Sequence, residues 1–457
     1  MKRFNIHKLL SRVFLCCLPF FIACDKLVEV SSAGNLTVSD DLFATENGYK
    51  SVFAGLYQNF RGNLGLTSGG LSTYMSLASD DLSSTSASSF YQTFLQNSVL
   101  SSNSVVSNFW NQAYRGIYRA NLILEKIDGA SFIPESRRND YKGQALFIRA
   151  FYYFYLVQLF NDVPLALSSD FQQTATLGRE QSAVVWQQII QDLEHAENLI
   201  AADETTERSV PNKFAVWALL ARVYLMQGEH DKVIAVCDQI EAEGGYALVD
   251  DLDQVFIKTS TETIWQISAT NSNTAEGMSF LPASLSARPV FILSPQLLQS
   301  FEEMDLRREH WTATQEVSGI SYVYPYKYKV RTGVPPLEYN VVFRFAEVLL
   351  MRAESKLETG DIDGALVDLG AVRKRAGLGA LSEYTIGEMR KAIHLEKRLE
   401  YFAEWGHRWF DLKRIGDIDA VLSVVKPTWK STAQWLPIPA SQRQVNVNLT
   451  QNEGYDD

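Results

Sequence analysis

The stretch HLEKRLEYFAEWGHRWFDLKRIG, from His394 to Gly416, combines carboxylates, arginines, two histidines and two tryptophans. Such residues supply the acids, bases and cations of many active sites. Laid on a helix, however, its apolar residues recur at helical spacing and form one stripe: Leu395, Leu399, Phe402, Trp405, Trp409 and Leu412. A stripe of this kind predicts that the stretch packs against a core, with Gly406 allowing a bend between two helices.

The charges of this stretch also fall at spacings that favour ion pairs on a helix. Glu404 lies four residues before Arg408, and Asp411 lies three residues from both Arg408 and Arg414. Each such pair stabilises an exposed helix by about 0.2–0.5 kcal/mol. When the same charges are partly buried, they fix how two helices meet. The spacing therefore predicts structural ion pairing along the stretch.

An enzymatic interpretation would make Glu400 or Glu404 a general acid, with His407 as its partner. Neighbouring arginines favour the ionised form of a carboxylic acid and make it a poor proton donor near neutral pH. Asp80 and Asp81 form another carboxylate pair, but adjacent residues of an extended segment point to opposite faces and would not flank one glycosidic bond. The sequence holds no phosphate-binding loop, nucleophile elbow or metal-ligating histidine motif. We therefore predict a protein that is not an enzyme and that carries no metal site or cofactor.

Helical periodicity extends over most of the remaining chain. The predicted helices cover about 45–61 (with Thr45 as N-cap), 108–127, 137–160, 181–200, 212–226, 230–243, 294–303, 341–358, 362–375, 386–405 and 407–416. Two adjacent pairs resemble tetratricopeptide units, ALLARVYLMQGEHDKVIAVCDQI with its turn at Gly228 and AESKLETGDIDGALVDLGAVRKRAG with its turn at Gly360. The two turns are not separated by a multiple of the roughly 34-residue repeat, so the repeats are degenerate and interrupted. The predicted fold class is mainly α: a tetratricopeptide-like helix-pair scaffold with an irregular, loop-rich region containing a few short strands.

The chain begins with MKRFNIHKLLSRVFLCCLPFFIAC, in which a basic start precedes an apolar run ending at Ala23. This run is too short to span a bilayer and is typical of a signal peptide. Ala23 followed by Cys24 resembles a bacterial lipobox. We predict a signal peptide over 1–23, a lipid on Cys24, a tether over 24–44 and a single domain over 45–457. The alternative is an ordinary secretory leader with an incidental cysteine.

The composition disfavours two classes of protein. The net charge of −11 disfavours binding to phosphate backbones, and so nucleic acid as a partner. Of the four cysteines, Cys237 alone lies beyond the predicted leader and lipidation site, so no disulfide framework is expected. Cys237 falls in the helical pattern DKVIAVCDQI and is predicted to be a buried, unreactive thiol.

Six segments, taken in order, resemble one protein family. They are the leader ending at Cys24, ENGYKSVFAGLY, RAFYYFYLVQLFNDVPL, FRFAEVLLMRAESKLETGDIDGALVDLGAVRKRAGL, the opening stretch, and WLPIPASQRQVNVNLTQNEGY. On these segments the chain is similar to the SusD/RagB-like outer-membrane nutrient-binding lipoproteins. The resemblance implies a scaffold of about four tetratricopeptide-like helix pairs, together with an irregular region that carries ligand-contacting loops.

The same resemblance implies a function. Members of this family are held by lipid on the outer face of the outer membrane and pair with a TonB-dependent, SusC-like β-barrel transporter. They capture glycans, or in some cases peptides, for import, and they are not catalysts. We therefore expect a cell-surface lipoprotein of a Gram-negative bacterium that binds an oligosaccharide. The alternatives are a peptide-binding member of the same family and a helical scaffold that only assembles outer-membrane proteins.

Two loop-rich regions, 62–107 and 245–340, are the candidate ligand regions. A flat aromatic ring can cover the C–H face of a sugar while Asn, Asp or Arg side chains bind its hydroxyls. The candidates are Tyr74, Asp80, Asp81, Phe90 and Tyr91 in the first region and Trp311, Tyr322, Tyr324, Tyr326 and Tyr328 in the second. In YVYPYKYK the tyrosines alternate, so a strand would present them on one face. The alternative is that these rings pack on the scaffold, as expected for Trp186, Trp217 and Trp265.

Overall fold

The computed structural model describes residues 40–455 except 63, 201–206, 270–272, 380 and 382–383. The predicted signal peptide, Cys24 and the first part of the predicted tether lie outside the described residues. Within the described part of the chain, no helix combines the length and the apolar character that a membrane span requires.

The described chain is mainly helical, as predicted from the sequence. Its main helices are α1 Glu46–Gln58, α2 Ser89–Leu95, α3 Ser104–Ile127, α4 Glu135–Phe160, α5 Ser182–Glu197, α6 Lys213–Gln227, α7 His230–Gly244, α8 Phe345–Thr359, α9 Ile362–Arg375, α10 Ile386–Tyr401, α11 His407–Arg414 and α12 Ile418–Val425. From α3 to α9, each helix packs against the next along the chain. This continuous stack is the predicted helix-pair scaffold.

The two predicted tetratricopeptide-like units are the pairs α6–α7 and α8–α9. Gly228 and Gly360 end α6 and α8 in the left-handed conformation, with φ of +73° and +90°. Glycine adopts this conformation without the steric cost that a side chain brings. Although nearly a hundred residues separate the two pairs, α7 packs directly on α8. The intervening chain therefore interrupts the repeat in sequence and leaves the stack continuous in space.

Six short strands lie in the described part of the chain and form three two-stranded antiparallel sheets. They are β1 Leu82–Ser84 with β3 Phe291–Leu293, β2 Thr263–Ile267 with β6 Asn340–Arg344, and β4 Thr312–Val317 with β5 Ile320–Pro325. The sequence NVVFR of β6 was predicted as the start of a helix, and this prediction is wrong. Its β-branched residues favour an extended chain, and β6 pairs with β2 while α8 begins at Phe345.

The core is built around the second half of α4. Every residue from Gly143 to Phe160 is buried, because other elements cover this helix on all sides. Trp265 of β2 packs edge-on against Phe147 and Phe151, with ring centroids 5.0 and 5.2 Å apart. Cys237 is buried, and burial raises the pKa of its thiol, so the thiol stays protonated and unreactive as predicted.

Candidate functional site

The opening stretch consists of two helices joined by a tight bend. Helix α10 ends at Tyr401 and α11 begins at His407, so the predicted helix over 386–405 is four residues too long. Between them, Ala403, Trp405 and Gly406 all have positive φ. A Cβ at position 406 would lie only 2.7 Å from the Cβ of Met75, so a side chain would clash there. This explains why glycine occupies the bend, which was predicted from the sequence.

The carboxylates at this bend belong to a buried ionic network. Glu400, which is fully buried, accepts hydrogen bonds from Arg307, Arg344 and Arg375. Burial raises the pKa of this carboxyl, but the arginines outweigh burial and hold the pKa far below its ordinary value. Glu400 is therefore an ionised structural anchor, and the general-acid role considered from the sequence does not suit it.

The ion-pair partners of the other charged residues in this stretch were only partly predicted from the sequence. Glu404 pairs with Lys327 at 2.6 Å and with Arg344 at 2.9 Å, so the predicted Glu404–Arg408 pair is wrong. Arg408 pairs with Asp80, and the predicted Asp411–Arg414 pair forms at 3.1 Å.

His407 was the partner proposed for a catalytic acid. Its ring packs against the ring of Tyr401, with centroids 4.7 Å apart. Burial, followed by the charges of Arg222 and Lys397, lowers its pKa well below the ordinary value. The imidazole is therefore neutral and does not act as the counter-charge of Glu404 near neutral pH.

Asp80 and Asp81 are buried, with exposed fractions of 6% and 1%. Both contact Arg398 at 2.9 Å, and Asp80 also contacts Arg408 at 2.8 and 3.0 Å. The prediction that the two acids point to opposite faces is wrong, because they lie in a turn that precedes β1. Their oxygen atoms bind arginines, and Asp80 also lines a cleft described below, so the predicted hydrogen bonds from sugar hydroxyls stay a prediction. They fix α10 and α11 to the first loop-rich region.

Tyr74, another candidate ligand-binding residue, is buried in the structure. It is 4% exposed and packs on Phe94, Phe109 and Tyr91, with ring centroids 4.7–6.0 Å apart. Every residue from 66 to 82 is buried, so this Ser- and Gly-rich segment is part of the core and not a surface loop.

Trp311 is completely buried, and its prediction as a ligand platform is wrong. Its indole Nε1 donates a hydrogen bond to the carbonyl oxygen of Leu252 at 3.0 Å. Three cationic groups, those of Lys327, Arg375 and Arg344, lie 4.6, 5.5 and 5.8 Å from its ring. The ring is thus the aromatic partner of the buried ionic network.

The alternating tyrosines do not share one strand face. Strand β5 ends at Pro325, so it contains only Tyr322 and Tyr324. Tyr324 is 8% exposed and packs edge-on against Tyr326, whereas Tyr322 is partly exposed. Tyr328 enters the core, where its hydroxyl accepts a hydrogen bond from the Val341 N–H at 3.0 Å.

The two predicted ligand regions do meet, through the pairing of β1 with β3. Strand β3 also packs against β5, which brings the tyrosine hairpin to the same side of the molecule. Phe90 is 50% exposed, and the neighbouring Tyr91 ring packs edge-on against Phe291 at 4.8 Å. We call the partly exposed Phe90, Tyr91 and Tyr322, with the chain around β1 and β3, the β1–β3 surface.

A cleft of about 480 Å³ opens beside this surface. Its polar lining includes Asp80, which was singled out from the sequence, and Ser83, Gln96, Gln296 and Thr428, which were not. The loop that leads into β3 is held in place by Gln315, whose Nε2 donates hydrogen bonds to the carbonyl oxygens of residues 284, 285 and 287. The exposed rings of the β1–β3 surface, together with a cleft that strand β1 helps to line, make this the candidate binding site.

The fold is a helix-pair scaffold with two loop-rich regions that meet at the β1–β3 surface. The family described as "Starch-binding associating with outer membrane" matches residues 34–225, and the family described as "SusD family" matches residues 321–455. The chain belongs to the SusD/RagB family.

Individual relatives agree with this assignment. SusD-like protein P2 of Formosa agariphila is 27% identical over 416 residues, covering 77% of this chain and 81% of the relative. SusD-like protein P25 of the same organism is 23% identical over 535 residues, covering all of both chains.

Solved structures share the fold. A SusD superfamily protein from Bacteroides vulgatus superposes with a TM-score of 0.81 at 23% identity, covering 90% of this chain and 99% of the other. Surface glycan-binding protein A from Bacteroides thetaiotaomicron, in complex with laminarihexaose, gives a TM-score of 0.76 at 19% identity, covering 89% and 99%.

Proposed function

We propose that this protein is a cell-surface lipoprotein that binds an oligosaccharide and delivers it to a TonB-dependent, SusC-like transporter of the outer membrane. The observation that carries this proposal is the meeting of the two ligand regions at the β1–β3 surface, which has exposed rings and a cleft lined partly by polar groups. Family membership supports it, since relatives of the same fold include a laminarin-binding SusD-like protein and surface glycan-binding proteins.

The chemistry of the β1–β3 surface suits a sugar. Phe90 and Tyr322 can cover the apolar C–H faces of sugar rings, and their side chains lose little conformational entropy on binding. The hydroxyl and amide groups of the cleft can exchange hydrogen bonds with the sugar hydroxyls. A peptide-binding role within the same family is the alternative, because aromatic rings and amides also bind peptides.

We further propose that the protein is not a catalyst. Hydrolysis of a glycosidic bond requires two carboxyl groups that flank the bond, one of them protonated. The carboxylates that the sequence singled out, Asp80, Asp81, Glu400 and Glu404, all pair with arginine or lysine side chains. These carboxylates therefore stabilise the fold through ion pairs.

The binding proposal predicts a loss of affinity in two variants of the β1–β3 surface. Phe90→Ala and Tyr322→Ala are each expected to weaken the binding of an oligosaccharide about tenfold, since one stacked ring contributes roughly 1–1.5 kcal/mol. Isothermal titration calorimetry with laminarihexaose and maltohexaose measures the change. Phe132→Ala is the matched control, because Phe132 is 48% exposed and lies between α3 and α4.

Two results would contradict the proposal in different ways. Equal affinities in wild type and both variants would place the glycan elsewhere on the molecule. Binding of a tryptic casein digest, with no binding of either oligosaccharide, would favour the peptide alternative.

The anchor is a separate proposal, which concerns a residue outside the described part of the chain. The lipobox-like end of the leader supports lipidation of Cys24 and a position on the outer face of the outer membrane. A Cys24→Ala variant is expected to leave the membrane fraction and appear in the soluble fraction on cell fractionation. Retention of the variant in the membrane would rule out the lipid on Cys24 as its anchor.

A further inference from the structure

A second cleft, of about 560 Å³, lies on the helical scaffold and involves none of the residues of the β1–β3 surface. Its walls are helix α3, the segment 164–175 and the C-terminal segment 442–449. We call it the Trp110 cleft, after the residue at the start of its α3 wall. Its volume falls within the range of roughly 300–1,000 Å³ that is typical of small-molecule sites.

Four aromatic rings line the Trp110 cleft. Trp110, Tyr114 and Tyr118 follow one another at four-residue intervals along one face of α3. The rings of Trp110 and Tyr114 lie with centroids 4.9 Å apart, and Tyr114 and Tyr118 are partly exposed. From the segment 164–175, Phe171 adds a ring that is 77% exposed. Trp110 belongs to the core, whereas the other three rings expose aromatic surface.

The lining of the cleft also contains amide and guanidinium groups. Gln442 donates to Asn111 at 3.1 Å, which leaves the Gln442 oxygen and the Asn111 amide N–H groups for a ligand. Among the described lining residues, Arg115 is the one charged side chain, and it is exposed.

The walls of the cleft are held in place without a ligand. Asn446 and Asn448 donate hydrogen bonds to the carbonyl oxygens of Leu177 and Thr176, at 2.8 and 2.7 Å, and so attach the C-terminal segment. On the other side, the buried Asn121 donates to the carbonyl oxygens of residues 166 and 168. A preformed cleft binds its ligand with little further cost in ordering.

We propose that the Trp110 cleft is a second oligosaccharide-binding site. Aromatic rings along a groove, with amide and guanidinium donors in the same lining, match the alternating C–H faces and hydroxyl rims of successive sugar units. The absence of a carboxylate from the described lining disfavours a cationic ligand such as a basic peptide. This inference rests on the proposed function. With two separate sites, the protein would contact a polysaccharide chain at two places and gain avidity.

The test counts binding sites with defined oligosaccharides. Wild-type protein, Phe171→Ala, Arg115→Ala and the Phe90→Ala/Tyr322→Ala double variant are titrated calorimetrically with laminarihexaose, maltohexaose and xylohexaose. Phe171 and Arg115 are exposed, so both variants are expected to fold. At least one oligosaccharide is expected still to bind the double variant. The affinity of this remaining site is expected to fall about tenfold in the Phe171→Ala variant. Phe132→Ala again serves as the exposed control.

The outcomes separate the two proposals. Binding that disappears in the double variant and is unchanged in Phe171→Ala and Arg115→Ala would overturn the second site and leave the proposed function standing. Failure of all three oligosaccharides to bind wild-type protein would overturn both proposals. Binding of a tryptic casein digest that depends on Phe171, without any such dependence for the sugars, would make the cleft a peptide site and overturn the inference.

Discussion

A Glu400→Gln variant is expected to lose about 3–5 kcal/mol of its free energy of unfolding, because removal of one charge from a buried ion network leaves its partners uncompensated. Glu400 is fully buried and binds Arg307, Arg344 and Arg375. Glutamine preserves the shape of the side chain but removes the charge that three guanidinium groups share. Urea denaturation at pH 7, with wild type measured in parallel, gives the difference.

The matched control for this prediction is Glu243→Gln. Glu243 is exposed near the end of α7, and a surface substitution of this kind is expected to change stability by less than about 0.5 kcal/mol. An equally small change for Glu400→Gln would contradict the structural role of the network. If such a stable variant also lost a hydrolytic activity seen in wild type, the enzymatic interpretation of this stretch would be restored.

Local features of the sequence predicted the helical scaffold well. Thr45 was predicted as an N-cap, and its side chain accepts a hydrogen bond from the N–H of Gly48 at 3.1 Å. Gly228 and Gly360 were predicted as turns, and both are left-handed. These successes share a cause: caps and turns are decided by a few neighbouring residues, whose chemistry can be read directly from the chain.

Partners of charged residues were predicted poorly, because spacing on one helix does not reveal which other segments lie beside it. Glu404 and Arg408 stand at a favourable spacing, yet their partners include Lys327 and Asp80, which are distant in the chain. A buried charge is stabilised by every cation or anion around it, and those neighbours are set by the tertiary fold.

The exposure of aromatic and polar residues was also predicted poorly from the sequence. The Ser- and Gly-rich segment 66–82 has the composition of a loop, but it is buried, and some of its hydroxyl groups form internal hydrogen bonds. Thr67, for example, donates to the carbonyl oxygen of Phe60 at 3.0 Å, and Ser72 donates to Glu276 at 3.1 Å. In contrast, the rings of the Trp110 cleft follow helical spacing and resemble a core face. The sequence could not show that the segments beside α3 leave that face partly uncovered.

Substitution of Trp311 by alanine is expected to lower the free energy of unfolding by about 3–5 kcal/mol, the usual cost of truncating a large buried aromatic side chain. The loss has two physical sources. The truncation leaves a cavity, and it leaves the carbonyl oxygen of Leu252 without its indole donor. It also removes the ring beside Lys327, Arg344 and Arg375, whose charges are then less well stabilised.

Tyr322→Ala is the comparison variant, because it is expected to affect ligand binding without a large effect on stability. Tyr322 is partly exposed on β5, so its loss is expected to change the unfolding free energy by less than about 1 kcal/mol while weakening oligosaccharide binding. Folded Trp311→Ala, assayed below its unfolding temperature, is expected to bind laminarihexaose or maltohexaose as wild type does. If Trp311→Ala instead kept its stability and lost the sugar, the ring would have to reach the ligand in a second conformation, in which the ionic network around Glu400 opens. That conformation would expose buried arginines to solvent, so the Glu400→Gln variant would then populate it more and bind the sugar more tightly.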